Sequence, residues 1–343
     1  MAGRSDRVLI EDYSPAADNE PCMALERSAP QGKSRRLSFR RSTFHRRAEN
    51  FADHKLIVAR LEGAVVGVVG VAFKDVRLYG EPRRAAFYFD LRVHPEYRRL
   101  GVAWRLAREI TRFGDARSDF GYGYTIDDNR EARAMAWFRA RTPASSCHFL
   151  AYPTYARRPS RSEARAASMA EVHERLLATV PPFDFYTNPL VGGSTGGHVA
   201  SWVLDDAGCT VWSNEGIFAE VVEALPPGGM LAGRMLDSRL LRGLPHPHIP
   251  RVGEQIRSWY LTDVHGRNPM QVADLIRFVS ARARDQGIDF LHIPLLAGDE
   301  WAAAVRHDVP LSFARQLRYL LFATANGRSL PAMRRFYLDI RDI

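Results

Sequence analysis

The stretch AAFYFDLRVHPEYRRLGVAWRLAREITRF, residues 85–113, decides the fold class of this chain. Residues 85–93 predict a strand, because aromatic and β-branched side chains alternate there between two faces. Pro95 interrupts that strand, and the polar residues around it predict a turn. The apolar side chains that follow recur at the spacing of one helix face: Leu106, Ile110 and Phe113. A strand, a polar turn and an amphipathic helix are therefore expected in succession.

Strands and helices are predicted on both sides of this unit as well. The strands lie at 7–11, 55–60, 64–74 and 120–126, and a second helix lies at 129–141. Gly63 marks a hairpin turn, because glycine adopts the positive φ that such a turn needs. The basic stretch through Arg47 shows no regular pattern. This order predicts a mixed α/β (α+β) fold rather than a helix bundle or a β-sandwich.

The composition is that of a globular protein with a sizeable core. Of the 343 residues, 46% are apolar and 25% are charged, which excludes a disordered or fibrous chain. Three widely spaced cysteines, Cys22, Cys147 and Cys209, form no disulfide framework and favour a reducing compartment. Neither a signal peptide nor an apolar run long enough to span a membrane is visible. We therefore expect a cytoplasmic protein without membrane partners.

The net charge of +9 needs an explanation, since basic proteins often bind nucleic acid. All the basic residues except Lys33, Lys55 and Lys74 are arginines, a ratio typical of a GC-rich bacterial genome. The arginines are also spread along the chain instead of alternating with aromatic residues on one face. This spread disfavours nucleic-acid binding, and an acidic small ligand accounts for part of the excess.

The second half of the chain repeats the order of the first. The composition turns to Arg, Ser, Pro and Ala near residue 156, which indicates a linker. We expect domains at 1–155 and 168–343, with the linker at 156–167. In the second domain a strand at 258–264, a helix at 269–284 and a strand at 288–295 match the decisive unit. Both first strands end in Val-His, which favours duplication.

The turn RRLGVA, residues 98–103, carries the chemistry of the first half. A glycine at a strand-to-helix junction lets the backbone approach a ligand closely, and the first amides of the helix point outward unpaired. The helix dipole and the adjacent arginines favour an anion at that place. The turn therefore predicts a phosphate-binding site, with an ordinary βα connection as the alternative.

Residues 90–103 resemble the acyl-CoA signature of the GCN5-related N-acetyltransferase (GNAT) superfamily. That signature, Arg/Gln-x-x-Gly-x-Gly/Ala, follows a hydrophobic strand and a Pro-Glu pair, as it does here. The resemblance covers about residues 7–155 and implies a mixed, mostly antiparallel sheet flanked by helices. The second half resembles the degenerate half of tandem members, so two tandem GNAT-like domains are expected.

The resemblance also implies how CoA binds. The strand ending at Val93 would splay from the next strand and pair with pantetheine, while amides of the turn hold the pyrophosphate. Asn129, three residues before Ala132, resembles the Asn-x-x-Ala element whose Asn lies along the pantetheine arm. The residues implied to contact CoA are Leu91, Arg92, Val93, Arg98, Arg99, Leu100, Gly101, Val102, Ala103 and Asn129.

The implied activity is N-acyl transfer from an acyl-CoA, most simply acetyl-CoA, to a primary amine of a small molecule or a peptide. A non-catalytic acyl-CoA-binding or regulatory module is the alternative, and so is an enzyme with an altered donor or acceptor. No metal is expected, since His246-Pro247-His248 lacks a third ligand nearby. The sequence leaves the acceptor and the oligomeric state open.

Three positions depart from the family pattern. Ala136 stands where many members have a tyrosine acid, and Phe87 where histone-type members have a glutamate base. Tyr124 stands where some members place a carboxylate. The catalytic candidates are therefore Asp90 and Tyr124, with a structural role as the alternative for each.

Two further segments are singled out by the pattern. The arginine pairs between residues 35 and 47 are expected on the solvated surface, with an acidic acceptor or the CoA 3′-phosphate as the alternative. The apolar run 337–343 suggests a terminus tied into a sheet. In the N-myristoyltransferases, tandem members of the superfamily, the C-terminal carboxylate acts as the base. Either this arrangement recurs here, or the run closes the second sheet and leaves Asp342 solvated.

Overall fold

The structure, a computed structural model, describes twelve segments of the chain. These are residues 7–30, 36–127, 129–137, 143–154, 163–179, 183–187, 197–228, 248–295, 301–308, 315–325, 328–333 and 336–342. The strands within them are β1 (Leu9–Asp12), β2 (Arg36–Arg40), β3 (Asp53–Leu61), β4 (Ala64–Leu78), β5 (Glu81–Val93), β6 (Phe120–Ile126), β7 (Ser145–Pro153), β8 (Arg165–Ala167), β9 (His198–Leu204), β10 (Ala207–Ser213), β11 (Ala219–Ala224), β12 (Gln255–Ile256), β13 (Ser258–His265), β14 (Phe290–Leu295), β15 (Arg315–Ala325) and β16 (Arg328–Ser329). The α-helices within them are α1 (Pro15–Ser28), α2 (Val102–Asp115), α3 (Arg130–Trp137), α4 (Met169–Thr179), α5 (Pro269–Asp285) and α6 (Trp301–Asp308).

One large sheet of 13 strands runs through both halves in the order β1-β3-β4-β5-β6-β15-β7-β14-β13-β10-β9-β8, with β16 beside β15. Its described pairings are antiparallel except for β5 with β6 and β13 with β14. A second sheet, β12-β11-β2, joins β2 of the first half to β11 of the second. The mixed, mostly antiparallel sheet flanked by helices is therefore confirmed.

The two halves exchange one strand each. Strand β15 lies between β6 and β7, where it pairs with both neighbours in antiparallel register. Strand β7 in turn pairs with β14 of the second half. The two halves that the expected boundary at 156–167 would divide therefore complete each other's sheet in space.

The amphipathic helix α2 covers one face of the first-half sheet, as its spacing predicts. Val102, Leu106 and Ile110 are buried against β4. Gly67 of β4 permits this close packing, because a Cβ there would lie 2.8 Å from Cδ1 of Leu106. Burial of three such side chains contributes several kcal/mol to folding. The opposite face of the sheet carries an aromatic cluster around Phe87.

The strand, helix and strand unit is present in both halves. Each copy has a β-bulge in its first strand, which gives a common reference point for aligning the two. Asp90 lies in the bulge of β5 with φ +52°, and Asp263 lies in the bulge of β13 with φ +53°. Aspartate tolerates this left-handed conformation better than most residues. When the two bulges are superimposed, Leu91 is equivalent to Val264. The two Val-His pairs would instead make Val93 equivalent to Val264, an alignment shifted by two residues. The sequence match of those pairs is therefore coincidental, although the duplication of elements is real.

Two expectations from the sequence are wrong in detail. The patternless stretch before Arg47 contains helix α1 and strand β2. The pattern of α1 was hidden because two of its buried residues are charged: Asp18 pairs with Arg60, and Glu26 pairs with Arg41. Within the expected linker, residues 165–167 form strand β8, which pairs with β9.

The C-terminal segment 336–342 does not close the second sheet as a strand. Only Phe336 forms an isolated bridge, to Asp184, and a short 3-10 helix follows at Ile340–Asp342. The segment lies on the aromatic face of the first half, and Asp342 is 4% exposed rather than solvated. The alternative in which Asp342 is solvated is therefore wrong. Ile343 lies outside the described residues.

Candidate functional site

Strands β5 and β6 separate into an open fork. They pair in parallel register only from Ala85 with Phe120 to Phe87 with Tyr122. Beyond that point β5 pairs with β4, and β6 pairs with β15 on its other side. The bulge at Asp90 turns β5 away from β6, because two residues there oppose the single residue Val69. In the described part of the chain, the ladder between β5 and β6 therefore ends at Phe87 and Tyr122, and the two strands diverge beyond it.

The turn RRLGVA stands at the mouth of this fork. Gly101 ends a short 3-10 helix, Pro95–Leu100, and begins α2 with φ +71°, a conformation that favours glycine. No side chain caps α2 at Gly101, so the first N–H groups of the helix point outward. A Cβ at Gly101 would meet no protein atom within 4 Å. The space above the turn is therefore available to an anion.

The other predicted CoA contacts lie around the fork in different environments. Arg98, Arg99 and Leu91 are exposed, whereas Arg92 is buried and pairs with Glu26 at 2.9 Å. Asn129 accepts a hydrogen bond from the Ala132 amide at 3.0 Å. The Asn-x-x-Ala element thus caps α3 at the end of β6.

Asp90 is held by two arginines at the bulge. Nη1 of Arg41 lies 2.7 Å from one carboxylate oxygen, and Nη1 of Arg47 lies 3.0 Å from the other. Burial alone would raise the pKa of Asp90, but the two arginines outweigh it and hold the pKa well below its ordinary value. Asp90 is therefore an ionised anchor whose two oxygens are both engaged.

The same contacts correct the expectation for two arginines of the basic stretch. Arg41 and Arg47 were expected on the solvated surface, yet the Arg41 side chain is 2% exposed and that of Arg47 is 15% exposed. They are buried because Asp90 and Glu26 supply counter-charges. Arg36, Arg40 and Arg46 are exposed as expected.

Tyr124 lies on β6 inside the aromatic cluster. Its hydroxyl is buried and has no hydrogen-bond partner among the described residues. Burial, with a further contribution from the charge of Asp342, raises the pKa of Tyr124 well above its ordinary value. The phenol is therefore a neutral donor at physiological pH.

Sequence reasoning missed a cluster that the fold assembles beside Tyr124. Nζ of Lys74 lies 2.7 and 2.8 Å from the two carboxylate oxygens of Asp342 and 3.0 Å from Asp339. The Tyr122 hydroxyl donates to Asp342 at 2.8 Å. Burial raises the pKa of Asp342 despite the opposing charge of Lys74. A lone lysine in an apolar strand is the one clue that could have marked this cluster.

Arg47 connects the C-terminal segment to the fork. Its Nη2 donates to the backbone carbonyl of Asp342 at 2.8 Å, while its Nη1 holds Asp90. The guanidinium of Arg47 therefore bridges Asp342, the last described residue, and Asp90 in the bulge at which β5 and β6 diverge.

The second half has a corresponding fork between β13 and β14, but the helix at its mouth begins differently. Strand β13 pairs with β14 only as far as Tyr260 with His292. Helix α5 then begins with Pro269, and Asn268 caps it by accepting from the Met270 amide at 3.0 Å. A side-chain cap and a proline leave fewer free amides for a phosphate than α2 offers.

The described residues show no metal centre and no membrane-spanning helix. Within them, no group of three or more His, Cys, Asp or Glu side chains is placed to hold a metal ion. His248 lies against Asp289, with Nδ1 and a carboxylate oxygen 2.6 Å apart, whereas His246 is outside the described residues. None of the described helices has the length and apolar character needed to cross a membrane.

Comparisons with known proteins agree with this geometry. Residues 20–139 match the family model of the acetyltransferase (GNAT) family. No curated protein matches the chain. Saccharomyces cerevisiae N-myristoyltransferase with bound myristoyl-CoA has a similar fold: 11% identity, 92% of this chain and 82% of that chain covered, and a TM-score of 0.59.

Two other solved structures are also similar. A second N-myristoyltransferase structure from the same yeast, with bound myristoyl-CoA and inhibitors, is 10% identical, covers 97% of this chain and 83% of that one, and has a TM-score of 0.58. A putative acetyltransferase from Pyrococcus horikoshii is 11% identical over 97% of this chain and 95% of that one, with a TM-score of 0.48. Residues 20–139 thus match the GNAT family, and the chain as a whole shares its fold with yeast N-myristoyltransferase.

Proposed function

We propose that the protein is an acyl-CoA-dependent N-acyltransferase that acts on a primary amine, with acetyl-CoA as donor. The observation that carries this proposal is the open fork between β5 and β6 with the uncapped turn at Gly101 at its mouth. An extended pantetheine arm would enter the fork beyond Phe87 and pair with β5, as an added strand does. The pyrophosphate would lie on the amides of residues 99–103.

The chemical step is a direct attack. The neutral amine nitrogen forms a bond to the thioester carbonyl carbon, and the oxyanion that develops accepts a hydrogen bond from a backbone amide near Val93. The C–S bond then breaks, the amine proton leaves to a base, and CoA thiolate takes up a proton. Holding both reactants in the fork supplies a large part of the rate enhancement.

Tyr124 is our candidate for the acid that protonates the thiolate. Its hydroxyl is buried, neutral and without a protein partner among the described residues, so it is able to donate. Asp90 is less suited to accept a proton, since both of its oxygens bind arginines. For Asp90 we therefore propose a positioning role, and the variant described in the Discussion tests it against a role as base.

The packing next to the fork supports a short acyl group. Phe87, Tyr122 and Phe185 are almost completely buried there. The ring centroids of Phe87 and Tyr122 lie 5.2 Å apart, and those of Tyr122 and Phe185 lie 4.9 Å apart. A long acyl chain directed at this face would have to displace these rings. Exposing their apolar surface would cost several kcal/mol.

The second candidate is a non-catalytic acyl-CoA-binding module. The engagement of Asp90 by Arg41 and Arg47 favours it, because the predicted carboxylate base is not free. We expect the cytoplasm as the compartment in either case. Cys22, Cys147 and Cys209 are buried free thiols, as a reducing compartment permits. Burial raises the pKa of Cys22 to about 12, which makes this thiol unreactive.

One assay separates the candidates. Free thiol is measured as acetyl-CoA, octanoyl-CoA or myristoyl-CoA is mixed with the protein and a panel of primary amines. An acetyltransferase releases thiol from acetyl-CoA only when an amine is present, and Tyr124→Phe lowers kcat by about 10²-fold while CoA affinity is retained. Tight CoA binding without any amine-dependent thiol release would identify the non-catalytic module instead.

A further inference from the structure

The C-terminal segment is tied at each end to the bulge aspartate of a different half. Near its start, the Tyr337 hydroxyl donates to the Asp263 carboxylate at 2.9 Å, and Asp263 lies in the bulge of β13. At its end, the backbone carbonyl of Asp342 accepts from Arg47, which also binds Asp90 in the bulge of β5. The segment therefore connects the equivalent positions of the two halves.

The end of the segment on the second half is held by a buried hydrogen bond to a carboxylate. Tyr337 and Asp263 are each 6% exposed. Burial, followed by the charge of Asp263, raises the pKa of Tyr337 well above its ordinary value, so its hydroxyl is a neutral donor. The Tyr337 amide also donates to the carbonyl of Asp184 at 2.7 Å. Both the side chain and the backbone of Tyr337 are thereby fixed relative to β13.

The other end of the segment lies on the first half and reaches the bulge through Arg47. Lys74 of β4 and Tyr122 of β6 bind the Asp342 carboxylate. The Asp342 carbonyl accepts from Nη2 of Arg47 at 2.8 Å, while Nη1 of Arg47 lies 3.0 Å from Asp90. A guanidinium is planar and its donors keep a fixed arrangement, so it links the positions of its two acceptors. Movement of the segment is therefore passed to the bulge.

The two ends contribute differently to the position of the segment. A lysine ammonium is a point charge on a flexible stem, so Lys74 neutralises Asp342 without fixing its direction. The hydrogen bond between Tyr337 and Asp263 joins a rigid ring to a buried strand and therefore restrains direction as well.

The bulge at Asp90 is sensitive to such contacts. Its φ of +52° is strained for a residue other than glycine, and such a conformation persists only where the surroundings hold it. Arg41 and Arg47 bind both of its carboxylate oxygens. Because the bulge turns β5 away from β6, its position sets the opening of the fork that the thioester would enter.

Resting on the N-acyltransferase function proposed above, we propose that the C-terminal segment sets the opening of the fork and that Arg47 and Tyr337 are positioning residues for acyl transfer. Arg47 holds the bulge directly, and Tyr337 acts on it through the segment. The second half, whose own fork lacks an uncapped helix start, thus contributes to the donor site by anchoring this segment.

Hydrogen exchange of the full-length protein without ligand tests the connection directly. Mass spectrometry follows the amides of residues 88–93, which contain the bulge. Tyr337→Phe removes one hydroxyl, and we expect these amides to exchange about fivefold faster, as loss of one buried hydrogen bond would allow. The matched control is Tyr186→Phe, which removes a hydroxyl that contacts His173 at 2.7 Å in the same cluster. Equal exchange rates in wild type and Tyr337→Phe would overturn the proposal.

A second pair of variants tests the guanidinium. Arg47→Lys keeps a positive charge beside Asp90 but cannot hold both acceptors, so exchange at residues 88–93 should rise at least as much as in Tyr337→Phe. Arg46→Lys is the control, because Arg46 is exposed and pairs with Glu49. The double variant Arg47→Lys with Tyr337→Phe should exchange no faster than Arg47→Lys alone, since both changes break one connection. Additive effects would contradict it.

Turnover supplies a readout that a purely structural role would not give. We expect Tyr337→Phe to lower kcat about fivefold while calorimetry shows that CoA affinity is retained, because the turn at Gly101 is not touched. Asp263→Asn keeps an oxygen that accepts from Tyr337 and should retain most of the turnover, whereas Asp263→Leu should lose as much as Tyr337→Phe. Equal turnover in these two Asp263 variants would contradict the role of this hydrogen bond.

The two measurements separate this inference from the function on which it rests. If the wild type releases thiol and Tyr337→Phe and Arg47→Lys do so at the same rate, the enzyme assignment holds and the positioning roles are wrong. If no amine releases thiol but Tyr337→Phe still speeds exchange at residues 88–93, the connection is supported and the catalytic assignment fails.

Discussion

Nζ of Lys74 lies within 2.8 Å of both carboxylate oxygens of Asp342, 268 residues later in the chain. This contact fixes the C-terminal segment on the aromatic face of the first half. Lys74 lies 9% exposed on β4, and Asp339 is its second partner at 3.0 Å. Lys74 therefore faces two buried carboxylates, and Arg341 is a second cation on Asp339, with Nη2 at 2.7 Å.

Replacing this cation should destabilise the fold strongly. Lys74→Met leaves Asp339 and Asp342 buried with less counter-charge, and we expect the free energy of unfolding to fall by about 3–5 kcal/mol. Lys55→Met is the control, because its partner Asp12 is exposed and such pairs contribute about 1 kcal/mol or less. Urea unfolding at neutral pH measures both. Equal losses in the two variants would contradict the assigned role of Lys74.

Asp90→Asn distinguishes an anchor from a base. As an anchor, Asp90 neutralises Arg41 and Arg47, so the variant should lose about 2–4 kcal/mol of stability. Its activity per folded molecule should then fall less than tenfold, whereas loss of a general base would lower kcat by about 10²–10⁴-fold. Unfolding and thiol release are measured on the same preparation.

The pH dependence of this variant follows from the lowered pKa of Asp90. A carboxylate with a lowered folded pKa contributes stability above its unfolded pKa, about 4, and loses that contribution as pH falls toward the folded value. The stability difference between wild type and Asp90→Asn should therefore be constant near neutrality and shrink below about pH 4. A difference that grows in acid would show that another group is responsible.

Gly101→Glu should abolish CoA binding without unfolding the protein. A Cβ at Gly101 meets no atom of the described residues within 4 Å, so the structural cost is mainly the strain of a non-glycine residue at φ +71°. Its carboxylate would occupy the space expected for the pyrophosphate and repel it. Gly80→Glu is matched, because Gly80 has φ +85° and open space in the β4–β5 hairpin. Calorimetry with CoA should show binding in Gly80→Glu and none in Gly101→Glu.

The halves should bind one CoA together and neither should fold well alone. A fragment of residues 1–155 lacks β15, which separates β6 from β7 in the sheet. We expect this fragment to aggregate or to bind CoA weakly, and co-expression with residues 156–343 to restore binding. Titration of the full chain should give a stoichiometry near one. A value near two would mean that the second fork is also a site.

The base remains a prediction that an extension of the chain can test. Asp342 is fixed near the bulge by Arg47, and the residue after it lies outside the described part of the chain. If the carboxylate of Ile343 is the base, two glycines appended after it should lower turnover about 10²–10⁴-fold and leave CoA affinity intact. Unchanged turnover would direct the search to Tyr124, Asp90 or an ordered water.

Local patterns predicted the elements that form the fork and the turn at its mouth. Alternation in β5, the break at Pro95 and the apolar stripe of α2 are each visible within a few residues, because strand and helix periods are local properties. The turn at Gly101 could be predicted for the same reason, because its residues are adjacent in the sequence. The sequence singled out Asp90 as a candidate but did not predict its contacts. Its partners Arg47 and Arg41 lie 43 and 49 residues away in the chain.

Other parts of the fold depend on distant partners and could not be predicted. From the sequence alone, Asp18 and Glu26 would be expected on the surface. They are buried because Arg60 and Arg41 pair with them in the folded chain. The pairing of β15 with β6 and the burial of Asp342 depend equally on contacts far apart in sequence. The local pattern of residues 337–343 therefore suggested a strand that the complete fold does not form.

The position of β15 also sets the order in which the protein can mature on the ribosome. Strands β6 and β7 are translated first, and β15, the strand that lies between them, follows only after most of the second half. The nascent first half must therefore expose two open strand edges while most of the second half is made. The gap between β6 and β7 is therefore filled only after β15 has been translated, and the first half depends on the second to complete its own sheet.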